Sequence, residues 1–221
     1  IYYSGKKLFG EAKYKEKSYL LEQAVDFEHF SAVTAKSFPI PSEFQPIKKP
    51  ILGYFGAIES WLVDQDLIRY VSQHRPDWQW VFIGLKTRPL TVEDLPNVHM
   101  LGSKNYYDLP AYAAQFSVCV LPWVTNNEFV NYGSAIKVRE YLATGKPVVI
   151  TPLYEYEELD GILRIARGYD HFIELIEQAL KENDLAAKTQ RQATVVNSTW
   201  DVRTEQVCTL IEEKLQANKL K

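Results

Sequence analysis

The sequence predicts a doubly wound α/β domain, a parallel sheet covered on both faces, with helices at its C-terminal end. Three observations carry that reading. Short runs almost continuous in apolar residues recur, most of them closed by Gly, Pro or Thr, as strands buried on both faces do. Between them lie stretches with apolar residues at helical spacing. The two kinds of segment alternate from residue 51 onward, the pattern of successive βα units. In such sheets ligands gather outside the carboxyl ends of the strands.

The elements follow in order. Ile51–Phe55 is a short apolar strand ending at Gly56, and 60–74 reads as an amphipathic helix with Leu62, Leu67, Ile68 and Val71 on one face, stopped by Pro76. QWVFIG (79–84) is the next strand, 97–101 a third, closed by Gly102, and 106–116 a helix. SVCVL (117–121) is a buried strand, a helix opens near Ser134, and 147–151 is another strand after Gly145-Lys146-Pro147. GILRIA (161–166) is a further strand, 170–181 a helix, and 185–219 mostly helical with a break near 197–199. Upstream, 1–4 reads as a strand end, the lysine-rich 5–17 as a helix with a solvated face, and 24–30 as a short extended piece. Pro39, Pro41, Pro46 and Pro50 then punctuate a linker.

At 221 residues, 46% hydrophobic and 24% charged, the chain has the composition of a soluble globular protein with a full core. A net charge of -3 offers no general field for nucleic acid. Cys119 and Cys208 both sit in apolar sequence without metal-ligand spacing, so they read as reduced core thiols. His29, His74, His99 and His171 are scattered and suggest neither metal site nor triad. The chain has no long apolar run and no signal-peptide pattern, and a cytoplasmic location is the simplest expectation. Its start at Ile1, with Met100 its single methionine, is expected of a processed or excised fragment.

One helix carries a misplaced charge. Ser134 reads as an N-cap, and three residues on, where a Glu or Gln normally reaches back to the cap, stands Lys137. A cation there opposes the helix dipole. Ala135, Val138, Tyr141 and Leu142 share the face that packs on the sheet, whereas Lys137 and Glu140 lie together on another. The small residues Gly133, Ser134 and Ala135 let backbone N–H groups approach an anion closely, and a phosphate there gains from donors and dipole alike. Two readings stand side by side: Lys137 clamps that anion, or it snorkels outward at a cost of a few tenths of a kcal/mol. Glu140, one turn deeper, suits the paired hydroxyls of a ribose, or else pairs at the surface with Lys137 or Arg139. The turn Gly56-Ala57-Ile58 lacks the third glycine of the dinucleotide fingerprint. It reads as a structural turn, or as a close approach of backbone to ligand. Glu155, Glu157 and Glu158 form an acidic first turn at the same sheet edge.

Together these stretches resemble the donor-binding half of GT-B glycosyltransferases of the group-1, family 4 type. The phrases in the family's order are ILGYFGAIESWLVDQDLI (51–68), WQWVFIG (78–84), LPNVHMLGSKNYYDLPAY (95–112), SVCVLPW (117–123), SAIKVREYLATGKPVVITPLYE (134–155) and TWDVR (199–203). The resemblance implies a Rossmann-like donor-binding domain over 46–221. Residues 1–45 are then the crossing segment or remnant of an acceptor-binding N-terminal domain, plus linker. It implies a nucleoside-diphosphate sugar as donor substrate and no cofactor or metal. Gly133, Ser134, Ala135 and Lys137 would hold the diphosphate, Glu140 the ribose and the loop at Gly102 the base, with Gly56 and Ala57 nearby. The acceptor, a saccharide or lipid in polysaccharide biosynthesis, would meet the missing domain; nothing in this chain indicates a membrane surface. Transfer is expected to proceed with retention, and the fragment to bind donor more readily than it turns over. The sequence departs from the family at Tyr132, where many members carry the first of two glutamates, at Ala135, where a proline is usual, and at 56–60, which lacks an Arg and a Lys. Lys137 is expected to replace that positive charge, with Lys86 or Arg88 as further candidates. A sugar-nucleotide epimerase and a catalytically degenerate binding module are the alternatives.

Overall fold

The computed structural model describes residues 1–182 and 184–219. A small parallel pair opens the chain: β1 (Tyr2–Tyr3), α1 (Lys6–Gly10) and β2 (Tyr19–Leu20). Then follow α2 (Phe27–Ala35), β3 (Ile51–Phe55), α3 (Gln65–His74), β4 (Gln79–Ile83), β5 (Val98–Met100), α4 (Leu109–Gln115) and β6 (Val118–Leu121). The chain continues with α5 (Glu128–Asn131), α6 (Ile136–Thr144), β7 (Val148–Ile150), β8 (Arg164–Ile165), α7 (Tyr169–Lys181), α8 (Leu185–Val195) and α9 (Trp200–Lys219).

The main sheet has six strands in the order β5-β4-β3-β6-β7-β8, and every pair is parallel. From β3 the chain winds outward to β4 and β5, then returns to β6 and winds the other way. With right-handed crossovers this reversal puts α3 on one face and α4 and α6 on the other. The packing agrees: α3 touches α7, whereas α4, α2, α6 and α8 touch one another in that order. The central strands β3 and β6 are buried along their whole length, which is why their sequence is continuously apolar rather than alternating. Trp78, Trp80, Tyr54, Phe82 and Phe172 are among the largest fully buried side chains. Gly53 is fixed by packing, since a Cβ there would lie 2.0 Å from the ring of Phe116.

Several expectations need correction. The segment 24–30 is not an extended piece: only Val25 pairs, with Thr199, and α2 starts at Phe27. Asp26 caps it by accepting the His29 N–H at 3.1 Å, and Phe30 and Val33 are buried. Likewise 60–74 becomes helical only at Gln65, because Asp64 accepts the Leu67 N–H at 2.9 Å and sets the start. The preceding residues are held instead by the loop after β6, through Val124 N–H to Leu62 O at 2.9 Å and Asp64 N–H to Pro122 O at 2.8 Å. The lysine-rich 5–17 forms only α1 and a 3₁₀ turn at Lys15–Lys17. Cys119 is a buried thiol, but Cys208 is exposed on α9 and does not belong to the core. Among the described residues no helix is long and apolar enough to cross a membrane.

Replacing Gly53 by Ala should force Phe116 off β3. The expected cost is about 1–3 kcal/mol, the range for overpacking a filled core. It should be read as a lower urea midpoint with an unchanged denaturant slope.

Candidate functional site

Three strands in a row end in glycines with positive φ: Gly56 at +134° after β3, Gly84 at +150° after β4 and Gly102 at +69° after β5. Their backbones stack. Gly56 N–H donates to Ile83 O at 2.8 Å, and Gly84 N–H to Gly102 O at 3.0 Å. A Cβ on Gly84 would lie 1.8 Å from the Gly56 carbonyl oxygen, so no larger residue fits. These turns floor a cleft of about 410 Å³ whose opposite wall is the first half of α6. Gly56, Ala57, Ser103, Lys104, Tyr106, Ile136, Lys137 and Glu140 all line it.

The cap of α6 is Ala135, not Ser134: its backbone is extended, and its carbonyl accepts the Tyr156 hydroxyl at 2.8 Å. The shift by one residue makes Lys137 the second helical residue, so the cation still stands in the first turn, which holds no acidic residue. Lys137 does not snorkel. The residue is only 9% exposed, and its stem crosses Gly56, where a Cβ would come within 2.3 Å of its Cε. Its ammonium rests 4.5 Å from the Trp123 ring centroid and 5.6 Å from that of Tyr54. These two rings are locked together, Trp123 Nε1–H donating to the Tyr54 hydroxyl at 3.2 Å and that hydroxyl to Ala57 O at 2.6 Å.

Among the described residues no carboxylate ion-pairs with Lys137, and neither Lys137 Nζ nor the Glu140 carboxyl makes a hydrogen bond. Burial pulls the Lys137 ammonium down to about 8, partly offset by the charge of Glu140. Burial likewise pushes the Glu140 carboxyl up to about 7, with Lys137 opposing. Two adjacent ionisable groups are thus largely withdrawn from water without protein hydrogen-bond partners, a costly arrangement unless something else completes it. The nearby Tyr106 hydroxyl is also raised by burial and by the charge of Glu140.

The other candidates are placed as follows. Lys86 turns to Glu93 and does not line the cleft. Arg88 is exposed, and Gly102, Gly133, Ser134 and Ala135 lie outside the lining. Arg139 pairs not with Glu140 but with Glu22, at 3.1 Å. Glu155 is buried and accepts the Lys6 backbone N–H at 2.8 Å. Sequence reasoning missed Lys104, which lines the cleft while paired to Glu43 at 2.8 Å, and Tyr106, which stacks on His29. It also missed the Trp123–Tyr54 support under Lys137. Among the described residues no group of three or more His, Cys, Asp or Glu is arranged to hold a metal.

A doubly wound sheet with a cleft beyond its strand ends, walled by the start of a helix bearing a buried cation and a carboxylate one turn on, defines a Rossmann-like ligand-binding unit. The chain belongs to the family described as Glycosyl transferases group 1, whose sequence model matches residues 49–182. Among curated proteins it is 28% identical over 214 residues to TuaH of Bacillus subtilis (strain 168), whose name provisionally assigns it to teichuronic acid biosynthesis as a glycosyltransferase. That match covers 87% of this chain and 50% of TuaH, so the chain spans about half the length of this relative. Among solved structures, Anabaena Alr3699/HepE in complex with UDP-glucose superimposes with a TM-score of 0.74 at 14% identity, over 96% of this chain and 63% of that one. A glycosyltransferase from Rickettsia africae ESF-5 gives 0.74 at 14% identity, over 97% and 63%. These likenesses show the fold, one Rossmann-like half of the GT-B type.

The buried pair should leave a signature in stability against pH. Between about pH 4.5 and 7 the folded chain keeps a proton on Glu140 that the unfolded chain releases, so stability falls as pH rises. Between about pH 8 and 10.5 the unfolded chain keeps a proton on Lys137 that the folded chain releases, so stability rises with pH. Urea titrations of the ligand-free parent and of Lys137→Met/Glu140→Gln should therefore differ most, to the parent's disadvantage, between about pH 7 and 8. A difference independent of pH would place both charges in water.

Proposed function

We propose that this chain is the donor-binding part of a glycosyltransferase that moves a sugar from a nucleoside diphosphate to a saccharide or lipid acceptor. The observation that carries the reading is Lys137, a buried ammonium in the first turn of α6 with no anionic partner at contact distance among the described residues. A diphosphate at the start of α6 would give that ammonium its counter-ion and would meet the free N–H groups of the first turn. Glu140 then faces the ribose hydroxyls, and Ser103, Lys104 and Tyr106 the base. When the glycosidic bond to the donor breaks, negative charge accumulates on the leaving diphosphate. A preorganised cation and helix dipole stabilise that charge most where it is greatest.

Transfer with retention and without a bound metal belongs to the same proposal, as does an acceptor bound mainly by chain outside these residues. The UDP-glucose held by the Anabaena protein supports a nucleotide-sugar donor, and the name of TuaH supports a polysaccharide product. A cytoplasmic setting is part of the reading.

Calorimetric titration with uridine, guanosine and thymidine diphosphates tests it. Lys137→Met should weaken the best ligand by about 1–3 kcal/mol, the range for a charge-assisted contact in a buried site. Glu140→Gln should narrow the preference for the ribonucleotide over its 2′-deoxy and 3′-deoxy forms, since an amide offers one acceptor and an unwanted donor. Unchanged affinity in the first variant, or equal ratios in the second, would remove that residue from the site.

A further inference from the structure

Two large aromatic side chains stand in water at the same sheet edge as the cleft. Trp61, in the loop after β3, is 48% exposed, and Phe129, in α5 on the loop after β6, is 73% exposed. Their rings meet edge to face with centroids 5.6 Å apart. The two loops are zipped together by the backbone bonds from Asp64 and Val124 and by the bridge between Val63 and Trp123. Trp123 is also the ring beneath the Lys137 ammonium. The exposed pair is therefore built on the same pair of loops that supports the cleft. Asn127 fixes α5 by accepting the Phe129 N–H at 2.9 Å, and Asn131 ties back to Thr125 O at 3.1 Å. The core folds without burying either ring.

We propose that Trp61 and Phe129 form a platform for a pyranose ring of the acceptor saccharide, an inference that rests on the glycosyltransferase reading above. Size decides against a protein partner. At these exposures the two rings offer on the order of 200 Å² of apolar surface, against roughly 800 Å² per partner in a standard interface. Charge decides against a membrane, because the charged residues flanking the rings in the two loops are Glu59, Asp64 and Glu128, which anionic lipid repels. The two loops also carry neutral hydrogen-bonding residues beside the rings in sequence: Ser60, Thr125, Asn126 and Asn127. A sugar presents a C–H face that matches the electron-rich face of an aromatic ring, and a rim of hydroxyls that matches amides.

The test follows the Trp61 indole N–H by NMR, assigned through Trp61→Phe, while maltohexaose, chitohexaose and hexagalacturonate are added at roughly millimolar concentration, where so small a contact is expected to bind. At least one oligosaccharide should shift that resonance, and its affinity, followed on the same signal in Phe129→Ala and by calorimetry in Trp61→Ala, should fall about tenfold in each variant, worth about 1.4 kcal/mol. Nucleoside diphosphate affinity should stay at the parent value in both variants. The proposal is overturned if no oligosaccharide moves the Trp61 signal, if binding is the same in parent and variants, or if anionic vesicles or self-association move it instead. Failure of the parent chain to bind any nucleoside diphosphate overturns the cleft reading itself, and is read separately.

Discussion

The site depends on one constraint: an ammonium held in a nearly dry position because its stem has nowhere else to go. Lys137 passes over Gly56 with no room for a Cβ beneath it, and Gly56 in turn lies on Gly84 with no room there either. Two backbone contacts without side chains thus set the depth at which the charge sits. The Trp123 and Tyr54 rings give the cation a weakly attractive floor, of the order of 1–2 kcal/mol where water is excluded. That is less than the cost of leaving an ion in the interior without a counter-charge. The imbalance makes the ligand-free state unfavourable at this point, and an anion in the cleft removes it.

Helix α6 can hold this position because its other contacts fix it firmly. The Tyr141 hydroxyl accepts the Phe55 N–H at 3.0 Å, which ties the helix to the end of β3. Arg139, on the far side from the cleft, reaches Glu22, whose carboxylate also lies 3.8 Å from Lys6 and from Arg203. At the C-terminal end Gly145 takes the left-handed conformation, and its carbonyl accepts from Arg191 at 3.0 and 3.1 Å. The helix that carries Lys137 and Glu140 is therefore anchored to the sheet, to the N-terminal segment, to α8 and to α9. A tilt that brought either charge to water would have to break several of these contacts.

Much of this was legible in the sequence, for identifiable reasons. The strand at Ile51–Phe55 was readable to the residue because burial on both faces leaves an unbroken apolar run. The limits of 60–74 were not, since Leu62 continues the helical spacing while its backbone lies in a turn on Glu59, bonded to a neighbouring loop. The helix beginning at Phe27 was hidden because Val25-Asp26-Phe27-Glu28-His29-Phe30 alternates like a strand, and only the Asp26 cap reveals it. Lys137 stood out as a broken local rule, and the rule stays broken in the structure although the cap moves from Ser134 to Ala135. Its aromatic support was invisible, because Tyr54 and Trp123 belong to distant strand ends and each looks like ordinary core. Lys86 stood as a further candidate cation until folding turned it toward Glu93.

The most direct measurement is the titration of Lys137 itself, followed by NMR of the lysine ε-carbons, with the signal assigned through Lys137→Met. In the ligand-free chain its pKa should lie near 8, displaced by burial. With the tightest-binding nucleoside diphosphate present it should rise above 10.5, the ordinary lysine value, as an anion replaces lost water. A ligand-free value already near 10.5, or one that the diphosphate leaves unmoved, would contradict the account.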